Sequence, residues 1–127
     1  MQTAQDRRRA VQPETADTLA QMNEVAWEAT DPQLLELCRR RLATLLDGAP
    51  DDIDLDALSA RDRAFIAFTD QFVFSVASVT EGEVEALLAH ADHLEVYRFV
   101  AALYTLEMTL RIEIAGRVVL APEEVSA

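Results

Sequence analysis

The sequence predicts an all-α protein, a compact bundle of about five helices closed by a long apolar C-terminal helix. Three observations carry that prediction. Glycine and proline are scarce, three and four in 127 residues, so little punctuates the chain. Apolar residues recur at three- and four-residue intervals, the period of a helix that buries one face. Helix-start signals divide the pattern at Asp31-Pro32, Ser59 with Asp62, Thr80 with Glu83, and Asp92 with Glu95. No stretch reads as a strand. The length fits a single helical domain over 16–121, with a flexible N-terminal arm at 1–15 and a tail at 122–127.

The first helix is expected from about Ala16 to Ala29, with Leu19, Met22, Ala26 and Ala29 on one face and Trp27 beside it. Pro32 opens the second, which runs to about Leu46 with Leu34, Leu35, Cys38, Leu42, Leu45 and Leu46 as its stripe. Gly48 and Pro50 end it. From Asp47 to Leu58 the chain is acidic and irregular, anchored by Ile53, Leu55 and Leu58. Ser59 starts the third helix, read to about Ser78, with Phe65, Phe68, Phe72 and Val76 in line. A short fourth helix carries Val84, Leu87 and Leu88. The fifth, from about His93 to Val119, is apolar over more than one stripe, because Tyr97, Tyr104, Met108 and Ile112 lie off the main face. A helix of that kind is central or shared, which predicts a homo-oligomer formed through it.

Charge narrows the function. With 23 acidic and 11 basic side chains the net charge is −12, which repels phosphate backbones and anionic lipid, so neither nucleic acid nor membrane is an expected partner. No run approaches the roughly 20 apolar residues of a membrane span, and Arg7, Arg8 and Arg9 precede no apolar segment, so a cytoplasmic protein without a signal peptide is expected. The arginines themselves read as a solvated arm. The single cysteine, Cys38, excludes an intrachain disulfide and any all-cysteine metal site, and it falls on an apolar face as a core residue.

Four groups of residues suggest chemistry. Asp52, Asp54 and Asp56 alternate as a calcium loop begins, but Ala57 stands where glycine must turn such a loop and Arg63 where a glutamate should close it, so no metal is expected. His90 and His93 flank a turn and read as solvated. Tyr104, Glu107 and Arg111 share one edge of the last helix. An ion pair of Glu107 with Arg111 at a subunit seam is the leading reading, and contact of all three with a ligand is the alternative. Asp70, among the phenylalanines, is expected to face solvent or an arginine of the second helix.

The run Leu34-Leu35-Glu36-Leu37-Cys38-Arg39-Arg40-Arg41-Leu42-Ala43, then Leu58-Ser59-Ala60-Arg61-Asp62-Arg63-Ala64, then Ala102-Leu103-Tyr104, resembles the carboxymuconolactone decarboxylase and alkylhydroperoxidase D-like superfamily over Pro32 to Leu120. The resemblance implies an alkylhydroperoxidase D-like fold and an oligomeric habit. Peroxidase members carry a C-x-x-C pair and a histidine after such a lead-in; here those places fall at Ala49, Asp52 and Asp56, so the redox element is absent. A thiol peroxidase needs an attacking and a resolving thiol. The expectation is therefore a degenerate active site and a non-redox protein binding a small apolar molecule or a protein partner, with no cofactor. The alternatives are a cysteine-independent lyase or isomerase on a small carboxylated substrate, drawing on Glu36, His93, Glu107 and Arg111, or a non-catalytic subunit assembled with a complete relative.

Overall fold

A computed structural model describes residues 13–75 and 79–120. The N-terminal arginines, Val76 and Ser78, and the tail at 122–127 lie outside the described residues. Five α-helices follow one another: α1 (Pro13–Ala29), α2 (Pro32–Asp47), α3 (Ala60–Phe74), α4 (Glu81–Leu88) and α5 (His93–Val119), with no strand among the described residues. α1 already takes in Pro13, Glu14 and Thr15, residues expected to belong to an arm; proline is tolerated in a first turn because it gives up no hydrogen bond the helix needs.

Each helix from α2 to α5 starts where a side chain meets its free N–H groups. Asp31 accepts from the Gln33 N–H at 2.9 Å, Ser59 from Asp62 at 3.1 Å and Asp92 from Glu95 at 2.8 Å. At Thr80 the backbone N–H donates to the Glu83 carboxylate, completing a capping box. α2 stops at Gly48, whose φ of 71° lets the Ala49 N–H fold back onto the Ala43 carbonyl at 3.2 Å. α3 ends at Phe74, four residues before the expected Ser78: Ser75 is extended, with φ −168° and ψ 119°.

Contacts fix the directions of the helices. Arg61 meets Asp31 at one end of α2 and Asp70 meets Arg41 further along it, so α3 runs parallel to α2. Arg117 donates to Asp47 at 2.7 Å, so α5 runs the same way. Asn23 donates to the Thr109 hydroxyl at 2.9 Å and Ala26 approaches Ala102, so α1 is antiparallel to all three. Parallel α2 and α3 impose a cost on their link: the chain must return along the whole of α2, about 24 Å, before α3 can begin. The acidic segment does this, broken only by a single 3-10 turn at Leu55–Ala57. Ile53 and Leu58 pack on the core, whereas Leu55, expected as an anchor, is carried outward by the turn and is exposed.

The core gathers Leu35, Cys38 and Leu42 of α2, Phe65, Phe68 and Phe72 of α3, Leu87 of α4, and Phe99, Leu103 and Leu106 of α5. Phe65 and Phe99 meet edge to face with centroids 4.6 Å apart, which adds to their burial about 1 kcal/mol. α5, about 40 Å long, is the spine against which α1 and α2 pack. Its second apolar strip is not covered: Tyr97 is 72% and Tyr104 57% exposed.

Candidate functional site

The three arginines of α2 are each occupied. Arg39 holds Glu36 through two bonds of 2.8 and 2.6 Å, and Arg40 reaches Asp52 at 2.5 Å. Arg41 grips Asp70 with two bonds of 2.6 and 3.0 Å and touches Asp51 at 3.4 Å. Asp70 thus faces an arginine of the second helix, one of the two environments expected for it. Asp70 and Asp51 beside Arg41 raise its pKa, the Asp70 bond most. The Arg39 bond likewise holds the Glu36 carboxyl below its ordinary range, so Glu36 stays ionised and paired. Asp54 is spent on the Asp56 N–H of the turn. Among the described residues no three histidine, cysteine, aspartate or glutamate side chains converge to hold a metal ion.

Cys38 lies beneath this array with no solvent exposure. Burial pushes its thiol up to about 12, against a smaller opposing effect of the bond with Thr69, so at neutral pH it stays protonated and unreactive.

The polar edge of α5 forms an ion pair within the helix. Arg111 Nε donates to Glu107 Oε1 at 2.6 Å, and the other oxygen of Glu107 is buried without a hydrogen-bond partner among the described residues. Tyr104 is exposed, its ring edge-on to Phe72 at 6.3 Å. His93 opens α5, and Glu107 follows 14 residues later, about 21 Å along the axis. Within one chain the two cannot reach the same small substrate.

The concave surfaces lie elsewhere, on residues expected at most as an apolar helix face and not as a site. An open groove of about 430 Å³ runs between α1 and α5, floored by Ala26, Ala29, Ala101 and Ala102 and walled by Met22 and Val25. Alanines on both helices leave the space, since neither sends a large side chain into the seam. Thr18, Gln21 and Thr105 give it a few polar rim groups. Around Ala29 the surface passes into a second, more polar pocket of about 290 Å³ at the end of the bundle where α1 stops and α2 and α5 start. Arg61 and Arg98 line it, together with Glu28, Asp31 and Glu95. Arg61 donates to Asp31 at 3.2 Å and lies over the Phe65 ring at 5.9 Å. Burial raises the Asp31 pKa, but the bonds from Arg61 and from the Gln33 and Leu34 N–H groups outweigh it and hold the carboxyl low. No local signal in the sequence marks the groove, since the fold must first bring alanines of two distant helices together, and Arg98 alone reads as a solvated charge.

An all-helical bundle with a sealed thiol, paired arginines and an apolar surface groove is the class of protein that fold and site define. Comparison with profiles of known families, with curated proteins and with solved structures returned no match to this chain. No helix among the described residues is long and apolar enough to cross a membrane.

Proposed function

We propose that this is a non-redox, alkylhydroperoxidase D-like helical protein that binds a small apolar molecule in the groove between α1 and α5. The observation that carries the reading is the groove itself: about 430 Å³, within the range of small-molecule sites, alanine-floored and rimmed by a few polar groups. The state of Cys38 supports the non-redox half, because a protonated, fully buried thiol does not attack a peroxide. Tyr97 and Tyr104, two turns apart on α5, support the expectation that the chain forms a homo-oligomer, since a seam over that strip would cover both rings.

A neutral apolar dye, N-phenyl-1-naphthylamine, tests the reading by fluorescence titration. The wild type is expected to bind it saturably, and Ala101→Trp, at an exposed position on the groove floor, to lower affinity at least about tenfold. Absence of saturable binding refutes the assignment. Sedimentation velocity of the same variant separates the two uses of this face: a wild-type oligomer that Ala101→Trp dissociates makes the groove a subunit seam and not a ligand site.

A further inference from the structure

We infer that the ligand of this groove is a zwitterion with an apolar tail, an aromatic or branched α-amino acid in chemical class, its charged end seated in the polar pocket beyond Ala29. The inference rests on the groove being a small-molecule site and adds what recognises the ligand's head. The two cavities share Ala29, so a molecule lying along the groove brings one end into the pocket. Arg98 lies three and four residues before Ala101 and Ala102 on α5, on the same side of the helix, which sets its guanidinium at the end of the apolar floor.

The charges there are unbalanced in a specific way. Two arginines and three carboxylates line the pocket. Arg61 is taken up by Asp31 and, at 3.6 Å, by Asp62, which leaves Arg98, Glu28 and Glu95 as the other charged groups lining the pocket. Arg98 makes no hydrogen bond or ion pair among the described residues; its charge acts weakly on Asp92, whose carboxylate is held chiefly by the Glu95 N–H and also meets the Glu95 side chain. No cation binds the side chain of Glu28 or Glu95 among the described residues.

A simple carboxylate entering this pocket finds one arginine and two repelling glutamates. A simple amine finds two glutamates and a repelling arginine. A molecule bearing both charges places its carboxylate on Arg98 and its ammonium between Glu28 and Glu95, and each like-charge conflict becomes a pairing. The buried Phe65 and Phe99 line the inner side, so the tail's way out is past Ala29 toward Met22 and Val25.

Isothermal titration at pH 7 with three matched compounds tests this: L-phenylalanine, 2-phenylethylamine, which lacks the carboxylate, and 3-phenylpropanoate, which lacks the ammonium. Phenylalanine is expected to bind about tenfold more tightly than either. Arg98→Met should remove its advantage over the amine, Glu28→Gln should reduce its advantage over the acid, and Ala101→Trp should weaken all three. Arg98 and Glu28 are exposed, so these variants fold. Phenylalanine binding no more tightly than its two fragments, while the neutral dye still fills the groove, overturns the zwitterion and leaves the apolar site standing. A phenylalanine advantage unchanged by both charge variants overturns the assignment of its head to this pocket. Failure of dye and phenylalanine alike removes the groove reading and this one with it.

Discussion

Replacing Arg41 with methionine should destabilise the fold, and the size of the loss follows from its surroundings. Arg41 lies on the inner margin of α2 with its side chain 16% exposed, and gives Asp70 two bonds of 2.6 and 3.0 Å. A charge-assisted bond in a dry site is worth about 1.5 to 3 kcal/mol. Here Asp70 is 37% exposed, so water screens the pair and rehydrates the carboxylate once the arginine is gone. That lowers the expected coupling between the two side chains to about 1 to 1.5 kcal/mol. Arg41→Met alone should cost about 2 kcal/mol, because Asp51, at 3.4 Å, loses its partner as well. Urea unfolding followed by circular dichroism at 222 nm, on Arg41→Met, Asp70→Asn and the double variant, measures the coupling. A coupling below about 0.3 kcal/mol would refute the claim that Arg41 clamps α3 to α2, and would leave that arginine free for another role.

Two further outcomes follow from the same region. The folded protein should leave Cys38 unmodified by 5,5′-dithiobis(2-nitrobenzoic acid) over hours at pH 7.5, with rapid reaction only in denaturant: a thiol at about 12 is ionised in about one molecule in thirty thousand. Stoichiometric labelling of the native protein within minutes would contradict it. Stability should also carry an acid component from Glu36. Its folded pKa lies below the ordinary 4.5, so the contribution is present above that value and is lost as pH falls through the folded one. Glu36→Gln should flatten that part of the acid slope by a few tenths of a kcal/mol, a small amount because the pair is half exposed; an unchanged slope in acid titrations monitored by circular dichroism counts against the pairing.

What the sequence disclosed is what is local. The residues that start each helix act within three positions of themselves, so Asp31, Ser59, Thr80 and Asp92 could be placed without knowing the fold. The end of α3 was overrun because Val76 keeps the helical period while Ser75 has already left the helix. The acidic segment was legible as a loop, and it is exposed along most of its length, but its part in the fold was not legible. Its use becomes visible only once α2 and α3 are known to be parallel, which sends the connection back beside Arg40 and Arg41 and makes counter-ions of Asp51 and Asp52. The pairing of Glu107 with Arg111 was legible because it lies within one helical turn. The groove and its charged end were not, since they depend on how Ala26 and Ala29 oppose Ala101 and Ala102, and four alanines carry no such information in their spacing.

The hydrogen bond from Asn23 to Thr109 has a consequence for how α1 comes loose. α1 commits only Ala16, Leu19 and Ala26 fully to the interior, with Trp27 at its margin, so releasing this one helix sacrifices far less apolar contact than unfolding the bundle. The amide acts as a pin: sliding α1 along α5 by one turn would break it, whereas a swing about it need not. One jaw of the groove is therefore pinned by a side chain, and its width is set by a helix that commits only three residues fully to the interior.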